Sequence, residues 1–243
     1  MTKDGIFFHV GELWATGADG IPRQFATLQD IGFNFKADVK ELFGQKQFSV
    51  DAATGTKSLT GKWTSGEYDP ILYNALFFGE TVSEGSLLLV PDEVGTVADA
   101  AITVSGAATF DRALSVKTTG GVALVQVGAS DTPAAGEYKV SNGVYTFAAA
   151  TADGTKFLIS YTKTSVEGQT VSLSNRDAGD TVSFEGRFWK KSRSGKTFGM
   201  IAPSCIMSSL DLPFKQNDYL LPAAEFTITT PAVGSILQFV RGA

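Results

Sequence analysis

At 243 residues the chain is about 1.6 times a typical domain of ~150, which leaves room for one large domain or for a domain carrying an inserted module. Hydrophobic residues at 43% and charged residues at 19%, with 18 Phe, 6 Tyr and 3 Trp, exclude disorder as the state of the whole chain. Lys and Arg total 20 against 25 Asp and Glu, and the resulting charge of −5 has the wrong sign for tight binding to nucleic acid through its phosphates.

The first residues, Met1 to Gly5, lack the apolar run and small-residue cleavage site of a signal peptide. No apolar stretch approaches the roughly 20 residues that span a bilayer, so the expectation is a soluble, unsecreted protein. The only histidine, His9, sits in the apolar run 6–10, and a Ser-His-Asp or Cys-His enzyme would have to use it. A lone histidine there reads better as a strand-end or subunit-contact residue.

Residues 28–40 alternate strictly. Ile31, Phe33, Phe35, Ala37 and Val39 fall on one side, and Asp30, Gly32, Asn34, Lys36, Asp38 and Lys40 on the other. This predicts a long strand with an oily face turned to a core and a wet face turned away. Residues 58–64 repeat the pattern, with Leu59, Gly61 and Trp63 opposing Ser58, Thr60, Lys62 and Thr64. A helix follows: Asp69 is its cap, Pro70 suits its first position, Ile71, Leu72, Ala75, Leu76 and Phe78 form its apolar face, and Gly79 ends it. It is expected to lid an end or edge of the core.

From 80 to 167 the texture changes to short Val/Ala/Thr runs, with turn signals at Pro91-Asp92, 119–121, Asn142-Gly143 and Asp153-Gly154. Residues 140–147 read as a hairpin around Asn142-Gly143, and 156–163 as the next strand. Beyond this stretch the earlier style returns, with strands predicted at 181–190 (Val182, Phe184 and Phe188 inward) and 225–229 (Phe226 and Ile228 inward). The organisation predicted is therefore all-β: a discontinuous β-sandwich core, 1–80 with 168–243, one short helix, and a small inserted β module, 81–167, that projects outward.

The chemical inventory is thin. Cys205 is the only cysteine, which excludes an intramolecular disulfide or a Cys-rich metal site and suits a reducing cytosol or an assembly built there. Neither clustered His/Cys ligands nor a calcium loop is present in the sequence, so no metal or cofactor is expected. Arg193-Ser-Gly-Lys-Thr197 ends like a phosphate-binding loop, but Lys190 stands where its first glycine is required, and 190–196 reads as a basic turn between two strands that needs an acidic partner. Asp30, Asp38, Glu41 and Glu185 lie on regular strand faces without a Trp/Tyr-lined cleft, so solvated faces are expected rather than an acid/base pair. What stands out is a set of long amphipathic strands whose edges invite pairing with other chains, in a protein without catalytic equipment.

Residues 28–48, then Ser58-Leu-Thr-Gly-Lys-Trp63 and Asn74-Ala-Leu-Phe-Phe-Gly79, resemble the N-terminal half of the major tail tube proteins of long-tailed bacteriophages. Leu212-Pro-Phe-Lys-Gln-Asn-Asp-Tyr219, leading into Phe226-Thr-Ile-Thr229, resembles their closing strand region, and Gly143-Val-Tyr-Thr-Phe147 with Leu158-Ile-Ser-Tyr161 resembles modules that such phage proteins carry. The resemblance implies a subunit that forms rings, usually hexameric, whose inner strands join into one β-barrel around a lumen, with the rings stacked into a tube and capped by other tail proteins. It implies a lumen lined by Asp30, Asn34, Lys36, Asp38, Thr60 and Lys62, past which DNA slides without tight binding. It also implies that the loop 43–56 between the first two long strands extends as an arm, with Phe43, Gln45, Phe48 and Val50 reaching a neighbouring ring, and a place in the virion after assembly in the host cytoplasm. The alternative from a different class is a carbohydrate-binding or adhesive β-sandwich on a virion or cell surface, using Trp14, Trp63 or Trp189 as stacking platforms.

Overall fold

A computed structural model describes residues 10–242. The chain is all-β apart from one short helix and divides into two compact units, residues up to 81 with 171 onward, and 82–170. Among the described residues no helix is long and apolar enough to cross a membrane.

The first unit is built on one sheet. Its strands are β1 (Glu12–Thr16), β2 (Pro22–Gln24), β3 (Leu28–Phe43), β4 (Ser49–Ser65), β12 (Phe184–Lys191), β13 (Thr197–Asp211), β14 (Ala223–Ile228) and β15 (Gln238–Arg241). They run in the order β2-β1-β12-β13-β14-β4-β3, with β15 also paired to β13. β2 and β3 are opposite edges of this sheet, yet only residues 25–27 connect them, a link that reaches at most about 14 Å. Seven flat strands would hold those edges about 29 Å apart. The sheet therefore rolls over its own apolar face, and rings from distant strands meet: Phe33 of β3 lies 5.8 Å from Phe188 of β12, and Phe25 lies 5.2 Å from Trp63 of β4. Among the described residues the roll does not close into a barrel, since β2 and β3 do not pair. Leu13, Phe25, Trp63, Phe184, Met207 and Phe226 fill the interior.

The helix caps this core as its sequence signals require. Asp69 Oδ1 accepts from Ile71 N at 2.9 Å, Pro70 opens α1 (Pro70–Tyr73), and Gly79 ends the run with φ 66°. The last turn, Asn74–Phe78, is π-helical, and this widening changes the buried face. Leu72, Tyr73, Asn74 and Leu76 are buried, while Ile71, Ala75 and Phe78 of the expected apolar face are only half-buried. Buried Asn74 is satisfied by the chain it turns toward, donating to Glu80 O at 2.8 Å and accepting from Glu80 N at 3.0 Å.

The second unit pairs two small sheets. One has the order β5 (Val82–Thr96), β11 (Lys156–Val171), β7 (Phe110–Thr118); the other has β6 (Ala101–Thr103), β10 (Val144–Phe147), β9 (Glu137–Ser141), β8 (Val125–Gln126). Phe147 of β10 stacks on Phe157 of β11 at 4.5 Å, and Tyr138, Tyr145, Ile159 and Tyr161 complete the core between the sheets. Asn142 (φ 48°) and Gly143 (φ 78°) form the tight turn expected between β9 and β10. Pro91-Asp92 is not a chain reversal. It lies inside β5, an edge strand where a missing N–H is tolerated, and Asp92 takes φ 48° there, its N–H donating to Ser160 Oγ at 3.0 Å.

Candidate assembly surface

The register of the core sheet aligns the expected lumen residues. Gly32 of β3 stands opposite Lys62 of β4, which stands opposite Glu225 of β14; in the next row Asn34, Thr60 and Thr227 align, and Lys36 faces Ser58. Asp30 faces Thr64. Asp30, Asn34, Lys36, Thr60 and Lys62 are thus brought onto one exposed polar face, with a shallow groove of about 350 Å³ over Gly32 that Asn34, Thr60, Lys62, Ser208 and Glu225 line. The face carries both signs, Asp30 and Glu225 with Lys36 and Lys62, and the opposite charges of Lys62 and Glu225, set directly across strands, favour this register. The contribution of Glu225 was legible in the alternation of 223–228, which sets it opposite Phe226.

Asp38 belongs to a different local structure. Between Val39↔Thr54 and Ala37↔Lys57 the β4 strand carries an extra residue, and Thr56 Oγ1 donates to Asp38 Oδ2 at 2.9 Å across that bulge. Its carboxylate pins the base of a two-stranded ribbon.

That ribbon corrects two expectations. Residues 43–56 are not a loop: β3 continues to Phe43, β4 resumes at Ser49, and the turn is confined to 44–48. Nor does the oily face of 28–40 stay against the core. Ile31 and Phe33 pack on it, whereas Phe35 is 51% exposed and Val39 more so. The physical reason is that β14, the third strand, ends its pairing at Leu59. Past that point β3 and β4 have no further strand beside them among the described residues, and both faces of the ribbon are open. Phe43, Phe48 (84% exposed) and Val50 lie on it with Gln45 in its turn.

The other sequence candidates are dispersed. His9 lies outside the described residues. The basic segment is a turn joining β12 to β13, closed by Gly195 (φ 87°) and by Ser192 N donating to Lys196 O at 2.8 Å. β12 itself starts at Phe184 rather than 181. Glu185 is ion-paired with Arg187, and Glu41 lies on the ribbon. Trp63 is 2% exposed, so its ring is core and offers no stacking platform; Trp189 lies over Gly199, where a Cβ would collide with its ring. Burial pushes the Cys205 thiol up to about 12, which removes it as a nucleophile.

No protein-family model matches the chain, and no curated protein matches it in sequence.

Proposed function

We propose that this chain is a structural subunit of a bacteriophage tail tube, forming rings, hexameric in the resembling proteins, that stack into a conduit for DNA. The observation that carries this reading is the β3–β4 ribbon: long, with Phe35, Val39, Phe43 and Phe48 exposed on it, and, among the described residues, without a strand on either flank past Leu59. Such edges are templates for other chains, and closure into a shared barrel removes them. The polar face of β3, β4 and β14 supports the same reading, since charges of both signs among hydroxyls give a wall without the basic field that would hold phosphate. The partners are then other copies of this chain, tail proteins at the tube ends, and DNA in transit; the site of action is the virion tail, built in the host cytoplasm; and the role is architectural, not enzymatic. A sugar-binding role loses Trp63 to the core.

Electron microscopy and sedimentation of the purified protein test the proposal. Rings and stacked tubes are expected as concentration rises. A species that stays monomeric up to millimolar concentration overturns it.

A further inference from the structure

The strand registers fix which connections share an end of the core sheet. Ala223 stands opposite Thr64, Ser65 N donates to Pro222 O at 2.9 Å, and Gly17 packs directly on Ala75, so the β13–β14 loop (212–222), the β1–β2 turn (17–21) and the helix gather at one end. The ribbon turn (44–48) and the β12–β13 turn (192–196) lie at the other, because Lys191 pairs with Thr197, at the end of β13 far from Asp211. The two ends differ in chemistry. The segment 190–196 carries four cations and no carboxylate; Lys190 and Lys196 are engaged within the chain, and Lys191 and Arg193 are exposed. At the opposite end Phe214 and Tyr219 hold their rings in water, 78% and 83% exposed, on a loop that carries Asp218 and its one cation, Lys215, 4.0 Å apart, and that is flanked in sequence or register by Asp211, Glu67 and Asp69, so that carboxylates remain in excess there.

We propose that the 192–196 turn of one copy docks on the 212–222 loop of the next copy along the tube axis, Arg193 lying over the Phe214 and Tyr219 rings and Lys191 facing Asp211 and Asp218. The inference rests on the assembly reading above and names the surfaces that meet. A second copy is the occupant because the unlike patches lie at opposite ends of one unit, and a contact between unlike patches that does not close on itself propagates as a stack. Their charges are of opposite sign, which orients the encounter head to tail and disfavours head to head. Arginine over an aromatic face adds an attraction that lysine gives less well.

Charge exchange tests this in the full chain. Tube formation is compared by electron microscopy for the wild type, Lys191→Glu/Arg193→Glu, Asp211→Lys/Asp218→Lys, and the chain carrying all four changes, with thermal melting to verify folding. Each double variant should raise the concentration needed for tubes about tenfold or more. The fourfold variant should regain tubes, because its reversed turn again meets a reversed loop. Phe214→Ala/Tyr219→Ala, on an exposed loop, should show the same loss without a change in melting. Wild-type tubes together with undiminished tubes from both charge doubles overturn the docking and leave the assembly reading standing; a folded fourfold variant that fails to regain tubes also overturns it. A wild type that gives neither rings nor tubes overturns the assembly reading itself.

Discussion

Gly61 shows how a single missing side chain sets the core. It occupies the inward face of β4 between Leu59 and Trp63, and a Cβ there would fall inside the ring of Phe226, which is itself buried and in edge contact with Phe33 and Phe184. Gly199 stands in the same relation to Trp189, but that indole is half-buried and can swing outward. Gly61→Ala should therefore cost about 1–3 kcal/mol, the range for overpacking a filled core. Gly199→Ala should cost measurably less in the same denaturant titration, and equal losses would show that the Phe226 cluster can shift as freely as the Trp189 ring.

Among the elements, the β3–β4 ribbon carries the most consequence. Phe48 adds nothing to its own subunit's core, so Phe48→Ala should leave thermal melting unchanged within about 1 °C. Burial of a Phe against a neighbour is worth roughly 1.5–3 kcal/mol, so the same change should suppress tube growth and leave isolated rings or monomers. Normal polymerisation of this variant would place the stacking contact elsewhere. The strands of this ribbon were legible in the period-two pattern of 28–40 and 58–64, and the helix in Asp69, Pro70 and Gly79, because these signals are local. The partner of the oily face was not legible, since alternation records which residues share a side and says nothing of what covers them. Pro91-Asp92 misled for a related reason. Its turn chemistry is the same on an edge strand as in a reversal, and only the neighbouring β11 decides between them. The π-helical turn left no mark in the sequence, because its closing bond, from Gly79 N to Asn74 O at 2.6 Å, has no residue-type signal that separates it from an ordinary helix end.

At the scale of the whole molecule the chain leaves the core unit after 81 and returns at 171, and the two crossings are pinned together on the core side. Glu80 accepts from Ser174 N at 3.1 Å and Ser174 Oγ at 2.7 Å, and Arg176 donates to Glu80 at 3.2 Å and to Gly79 O at 2.7 Å. These hydrogen bonds, from Ser174 first, hold the Glu80 carboxyl below its ordinary range. Since bonds within the core unit join the crossing points in addition to the β5–β11 pairing beyond them, replacing 82–170 with a short Gly/Ser bridge should leave the core folded, melting within about 5 °C of its transition in the full chain. Tubes of unchanged inner diameter are expected by electron microscopy. A folded deletion protein that makes no oligomers would place the second unit in the subunit contact.

The interrupted core also sets an order of events during synthesis. β1 takes its second neighbour from β12, and β4 from β14, so the rolled sheet waits until about residue 228 has left the ribosome. Every strand of 82–170 finds its partners within that segment, so the second unit completes while the first is still half made. In that interval Trp63, Phe33 and the oily side of the hairpin have only the core residues before 82, such as Phe25 and Leu76, to cover them. Lysines along 36–62 and the bulge at 55–56 disfavour indiscriminate pairing of that unfinished edge with another nascent chain, so pairing in register is left to completed subunits.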